Sequence, residues 1–312
     1  MLWPLKQSEA PGASRRPGRL RTLALMVSIF LGVLVVLELA LGTIFIGVIA
    51  DRIEEPRKEE FKASLESFLG QRKLVHTSKI TGYSWWDEVA YGVRAGDRAA
   101  ILDAYYGDSS LTDEYDVFQI NGARNELWLA SIDGLDSETE PEALNAVREP
   151  ALEKIFFDMT AAKYEALYPR FQAMSAKERS GIIDEYVVWH VVTRYAGELR
   201  LLSISPHCEN NGHPVTKGFA IYGYRFSRLL ELAEEVIPAR LEISRSAPRN
   251  AYAYYELPGF QDGEIYYVRF TPRILIADVA TRMLYIFLIA QVLLSAVVFA
   301  CVAPYYTRRQ TR

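Results

Sequence analysis

Cysteine is scarce in this sequence: 312 residues contain two, Cys208 and Cys301. Cys301 lies inside a long apolar run, which argues against an intrachain disulfide between them. The fold must therefore rest on an apolar core and not on covalent staples, and Cys208 reads as a passive thiol. Histidine is nearly as sparse, with four: His76, His190, His207 and His213. His207, Cys208, Glu209 and His213 fall close together, and all three residue types ligate zinc. Their spacing fits no zinc template, and Pro206 and Pro214 mark a turn, so a solvated loop without metal is expected. Trp189-His190 in a β-type run reads as packing. No Gly-x-Ser-x-Gly elbow, phosphate loop or His-Glu-x-x-His motif is present. Distant acids can still meet in any fold, but nothing in the sequence advertises catalysis, and the expectation is a protein that is not an enzyme and needs no cofactor. Positive charge is not in excess either. The net charge is −4 and no basic patch is interleaved with aromatics, which argues against nucleic acid as partner.

What the sequence has instead is apolar length. Residues 23–50 form one almost unbroken apolar run and residues 283–303 a second. A bilayer core needs about 20 such residues. Lys6, Arg15, Arg16, Arg19 and Arg21 precede the first run, and Arg308, Arg309 and Arg312 follow the second. Positive flanks stay in the cytoplasm. The expected organisation is a basic cytoplasmic N-terminus (1–22), a transmembrane helix (23–50), an extracytoplasmic domain (51–282), a second transmembrane helix (283–303) and a short basic cytoplasmic tail (304–312). That is a two-pass protein of the cell (inner) membrane with its main domain periplasmic or extracellular. A cleaved signal peptide has an apolar region of about 7–15 residues; the first run is longer, and Val48-Ile49-Ala50 is a poor cleavage site. Each run carries one polar residue near mid-membrane, Glu38 and Gln291. An intramembrane carboxylate usually faces protein and has a partner. Counted from the outer ends, the depths of the two residues differ by roughly 6 Å at a rise of about 1.5 Å per residue, close enough to pair. A protonated Glu38 bonded to its own helix is the alternative.

The outer segment begins with charge and then shows Phe61, Leu65, Phe68 and Leu69, an amphipathic helical spacing; Pro56 would kink it or mark a restart. Residues 80–93 pack four aromatics and two carboxylates into a short space. On a helix Tyr83, Trp86, Asp87 and Ala90 share one face, and Ser84, Glu88 and Tyr91 another. Trp and Tyr have apolar bodies with polar handles that seek partners when buried. This stretch is read as core packing with structural acids or, in part, as the lining of a ligand pocket; the candidate ligand-binding residues are Tyr83, Trp85, Trp86, Asp87, Glu88 and Tyr91.

A short helix over 97–106 follows. Strands are then expected over 115–120 and 126–130, with Asn121-Gly122 as a hairpin signal. Residues 137–180 are helical in character, 186–194, 201–206 and 218–226 read as strands, 228–243 as a helix, and 251–257 with 264–270 as a final hairpin around Pro258-Gly259. The fold class is α+β, a mostly antiparallel sheet with helices on one side and a long N-terminal helix. The order suits a Cache/PAS-like sensor domain.

Two stretches carry a resemblance. Tyr83-Ser-Trp-Trp-Asp-Glu and the later Leu202-Ser-Ile-Ser-Pro, Gly212 and Gly218-Phe-Ala-Ile-Tyr-Gly-Tyr-Arg-Phe resemble the CHASE4 family of extracytoplasmic sensor domains, with Trp86-Asp87 on the family's Trp-Asp and Tyr83 as the preceding aromatic. The likeness covers roughly residues 50–240. It implies a membrane-bound sensory receptor that detects a small molecule or other environmental stimulus, with a homodimer as the default. Such domains are usually followed by a HAMP linker and a cyclase, phosphodiesterase or kinase. This sequence departs from that pattern after residue 303, so the expectation is a separate signalling partner of kinase or cyclase type. The competing expectation is an extracytoplasmic interaction or assembly protein that senses no ligand.

Overall fold

In the computed structural model the described residues are 18–84, 87–106, 114–175, 178, 188–209, 214–249 and 251–309. The chain divides into two compact units, residues 58–273 and, from both flanks, residues 1–57 with 274–312.

The flanking unit holds the two apolar helices, α1 (Gly18–Ile49) and α8 (Ile276–Arg309). Both are long and apolar enough to cross a membrane by length and composition. They approach closely at Gly42, where a Cβ would come within 2.5 Å of Leu284 Cδ2, the small-residue approach that apolar helix pairs favour. After α1 the chain makes a π-helical turn, Ala50–Glu54, and then enters α2 (Glu55–Ser84). Pro56 follows the π-helical turn directly, and proline, which lacks the N–H for a regular helical bond, is a common site of such irregularity. Two side chains here form a clasp with the start of α8. Glu54 Oε1 accepts the backbone N–H of Ile276 at 2.7 Å, and Arg57 Nη1 donates to the carbonyl of Ile274 at 2.8 Å. The first is a carboxylate at a helix N-terminus, satisfying one of its free N–H groups.

The larger unit is built on a six-stranded antiparallel sheet in the order β3-β2-β1-β6-β5-β4. Its strands are β1 (Val117–Asn121), β2 (Leu127–Ile132), β3 (Leu135–Asp136), β4 (Trp189–Tyr195), β5 (Glu198–Cys208) and β6 (Pro214–Arg225). Two hairpins use two-residue turns with positive φ at both positions: Asp133-Gly134 (53° and 86°) joins β2 to β3, and Ala196-Gly197 (52° and 78°) joins β4 to β5. Such turns match the strand twist. The β1–β2 connection is longer than a two-residue turn. Asn121 ends β1, Gly122 N–H bonds to Glu126 O at 2.8 Å, and the left-handed residue is Asn125.

Period-two alternation sends side chains to opposite faces, and helices cover both. On one face Phe118, Ile120, Ala220 and Tyr222 pack with Val89, Val93 and Ile101 of α3 (Asp87–Ala95) and α4 (Arg98–Tyr106). On the other, Val117, Ile132, Leu202, Phe219 and Ile221 pack with Leu144 of α5 (Pro141–Val147) and Leu152 and Phe156 of α6 (Pro150–Gln172). The expected one-sided layer is thus corrected to two, because both inward and outward positions of β5 and β6 are buried.

A second sheet, order β7-β9-β8, comprises β7 (Ala239–Ser244), β8 (Ala253–Pro258) and β9 (Ile265–Pro272). The helix expected over 228–243 stops early. α7 spans Phe226–Glu234 and β7 follows Pro238. Proline ends the helix, and Ala239-Arg-Leu-Glu then alternates buried and exposed, the strand period. The second sheet, α7 and the Phe61-Leu65-Leu69 stripe of α2 share a third core that reaches Val192 and Leu201 of the large sheet. Burying each such side chain contributes about 1.5–3 kcal/mol.

Candidate functional site

The residues singled out by sequence do not all meet. Trp85 and Trp86 lie outside the described residues, as do the side chains of Tyr83, which belongs to α2, and of Asp87, which opens α3. Glu88 is exposed, and Tyr91, also exposed, donates its hydroxyl to Glu209 Oε1 at 2.8 Å. Val89, Ala90 and Val93 form the buried face of α3, so Glu88 and Tyr91 stand on its outer side. Glu38 and Gln291 are brought together: Gln291 Nε2 donates to Glu38 Oε1. Of the sparse histidine–cysteine stretch, His213 lies outside the described residues. His207 and Cys208 are strand residues with no exposed surface, a correction to the expected solvated loop. Burial raises the Cys208 thiol well above 9.0, with the charge of Glu209 adding to it, so it stays protonated and unreactive. Among the described residues no three of His, Cys, Asp and Glu converge as a metal would require.

A cavity of about 480 Å³ opens elsewhere in the larger unit, at the seam of the two sheets. One wall is α2, through Glu66, Leu69, Gly70 and Lys73. The opposite wall is the β4 end of the large sheet, through His190 and Val192 of β4 and Leu201 of β5, with Phe226 at the start of α7. The rim comes from β8 and the turn after it, through Tyr255, Leu257 and Phe260. The seam is fixed by a backbone bond from Phe260 N–H to Val192 O, 2.8 Å, which also uses an acceptor on the free edge of β4.

The floor of this cavity at the β4 end is a hydrogen-bonded chain whose proton positions follow from its partners. Thr77 Oγ1 donates to Lys73 O at 2.9 Å. A hydroxyl has one proton, so toward His190 Nε2, 2.8 Å away, Thr77 accepts. His190 therefore carries its proton on Nε2, and Nδ1 accepts from Ser203 Oγ at 2.8 Å. This neutral tautomer agrees with the lowering of His190 to about 4, caused by burial and then by the charge of Lys73. His76, one turn before Ile80 on the buried stripe of α2, is held at about 4 by burial, then by His190, Arg72 and Lys79. Its ring centroid lies 4.3 Å from that of Tyr224, which in turn packs tilted against Tyr115 at 5.1 Å. A seam of histidine, tyrosine and serine thus runs from the cavity into the core.

A second polar cluster, on the α6 face, is closed on itself. Arg148 pairs with the buried Glu153, Tyr195 Oη lies 2.7 Å from both Glu153 Oε1 and Gln119 Oε1, and Gln119 Nε2 donates to Asn121 Oδ1 at 2.6 Å. The phenol has one proton to share between the two oxygens, and a buried polar network of this kind specifies packing.

The sequence alone does not single out Glu66, Gly70 or Lys73, and in it His190 reads as packing and Pro258-Gly259 as a turn. The one local signal was Gly70, a glycine in a helix interior where no packing calls for it.

No protein-family model and no curated protein matches this chain. A solved structure, the crystal structure of the periplasmic domain of Vibrio cholerae LuxQ, is similar at 12% identity over 70% of this chain and 100% of that one, with a TM-score of 0.38. So low an identity and score give the likeness no functional weight.

Proposed function

We propose that this chain is a membrane-anchored sensory receptor: a CHASE4-like domain, Cache/PAS-like in kind, held outside the membrane by α1 and α8. It takes a small molecule into the cavity beside α2 and signals through its two helices to a separate protein of kinase or cyclase type. The observation that carries this reading is the double role of α2. One helix supplies Arg57 to the clasp with Ile274 and, about two and a half to four and a half turns on, Glu66, Gly70 and Lys73 to the cavity wall. A ligand that favours one position of α2 biases whatever the clasp is tied to; no more than a differential affinity for two arrangements is needed. The basic residues around the apolar helices orient both ends toward the cytoplasm, and the working form is a homodimer. No catalytic role and no cofactor is assigned to it.

The test is to tag the C-terminus, extract the chain gently from its own membrane and identify what accompanies it. Recovery of a kinase, a cyclase or another receptor supports the proposal. Recovery only of an extracytoplasmic protein replaces it with the assembly reading, and recovery of the chain alone removes the separate output partner.

A further inference from the structure

Two charged residues of one helix line the cavity. Glu66 and Lys73 lie seven residues apart, two turns along one face of α2, and both line the cavity. Neither forms an ion pair with a described residue. At 1.5 Å per residue their Cα atoms stand about 10 Å apart. Gly70 sits between them on the same face, and a Cβ built there meets nothing within 4 Å. Glycine in a helix interior costs roughly 0.5–1 kcal/mol relative to alanine. Here it leaves a notch in the wall between an acid and a base.

The two ends differ in company. Lys73 stands at the His190 end, where its charge helps to hold that imidazole neutral. Glu66 stands at the Tyr255 end, where its charge adds to burial in raising the phenol. Between them the lining is apolar, through Leu69, Leu201, Phe226 and Leu257. A complementary guest has an ammonium at one end, a carboxylate at the other and apolar groups between. A single α-amino acid carries both charges on one carbon, whereas the two anchoring residues stand two helical turns apart. Two peptide residues, at about 3.3 Å each, separate a guest's charges further, and their side chains have room in a cavity of about 480 Å³.

We propose that the cavity binds a short zwitterionic peptide of dipeptide size with apolar side chains, its ammonium at Glu66, its carboxylate at Lys73 and its backbone against Gly70. This assignment rests on the receptor reading for its physiological meaning, but it is tested by binding alone.

The experiment uses the full chain in detergent and the probe leucyl-leucine, followed by calorimetry and by thermal stabilisation, since a ligand that binds only the folded state raises its apparent stability. The N-acetylated and C-amidated forms of the same dipeptide, and leucine itself, are measured beside it. Leucyl-leucine is expected to bind, with each blocked form and leucine weaker by at least about tenfold, or about 1.4 kcal/mol. Glu66→Gln is expected to abolish the discrimination against the acetylated form, and Lys73→Gln that against the amide. Gly70→Leu, whose Cβ meets no neighbour, is expected to fill the notch and abolish binding, and Gly70→Ala to leave the unliganded chain's melting unchanged or raised. Absence of leucyl-leucine binding overturns the proposal, as do equal affinities for the blocked forms or unchanged binding in Gly70→Leu. The receptor reading fails separately, on co-purification, so a negative result here with a signalling partner recovered there removes only the ligand class.

Discussion

Arg200, with no exposed surface, holds Asp133 by two parallel hydrogen bonds, Nη1 to Oδ1 at 3.1 Å and Nη2 to Oδ2 at 2.5 Å. Asp133 is also the first residue of the β2–β3 turn, at φ 53°, and it pairs with Arg225 of β6. One side chain therefore fixes a turn and ties three strands together. Asn tolerates the left-handed backbone as well as Asp does, so Asp133→Asn removes the charge and leaves the turn. Removing one partner from a buried ion pair costs about 3–5 kcal/mol. With the Asp133 side chain 24% exposed, a loss at the low end, about 3 kcal/mol, is expected in urea unfolding of the chain.

The same carboxyl sets an acid limit. Burial pushes it up, but the hydrogen bonds and charges of Arg200 and Arg225 outweigh this and hold it below its ordinary 3.8. Its folded value is depressed, so its contribution is complete above about pH 4 and disappears as pH falls through the folded value. The three described histidines act at higher pH. His76, His190 and His207 are each lowered from 6.5 to about 4, by burial first. They are neutral in the fold and take up protons on unfolding. Between pH 6.5 and 4 the unfolded chain binds more protons, and stability falls as pH falls, by up to about 1 kcal/mol per pH unit for each histidine. Unfolding measured across that window is expected to show this slope, and His76→Phe, which keeps the ring against Tyr224, to reduce it by one proton.

Backbone contacts separate two small-residue changes. A Cβ at Gly218 would collide with the carbonyl of Asn121 and with Gly122 across the β1–β6 pair. Gly218→Ala is expected to destabilise by about 1–3 kcal/mol, the range for overpacking. Ala196, at φ 52° in a two-residue turn, is the reverse case. Ala196→Asn suits that backbone better and is expected to stabilise by about 0.5–1 kcal/mol. Parallel thermal melts of the two variants check both signs.

Much of this fold is legible in the sequence. The apolar runs become α1 and α8, the Phe61-Leu65-Leu69 spacing becomes the buried stripe of α2, and the Val- and Tyr-rich stretches become β4, β5 and β6. The misses have local causes. Apolar Leu229 to Ile243 reads as one helix unless Pro238 is given its weight and the alternation after it is seen. The cavity was invisible because its walls come from α2, β4 and β8, segments far apart in the chain, and no single one has an unusual composition. Charged residues such as Glu66 and Lys73 look like an ordinary solvated helix face until the structure shows what stands opposite.

The pairing of Glu38 with Gln291 gives a prediction inside the apolar helices. Side-chain hydrogen bonds between such helices contribute about 0.6–1.7 kcal/mol. Disulfide formation between Gly42→Cys and Leu284→Cys, with Cys301→Ser in the background, reports helix approach where Gly42 meets Leu284. Glu38→Leu is expected to slow that cross-link severalfold in native membranes. An unchanged rate would show that small-residue packing alone holds the helices.

The clasp of Glu54 and Arg57 on residues 274–276 has a consequence for how this protein can be rearranged. The chain departs for the larger unit and returns from it at one spot, so the long intervening loop is closed at its root. Closing a loop costs entropy that grows only slowly with its length, and here the closure is made by side chains outside the loop itself. Cuts after Arg57 and before Ile274 therefore fall side by side and leave the clasp in place. The segment between them has the form of an exchangeable cassette, one that recombination could replace with another domain of any size while keeping the same pair of apolar helices.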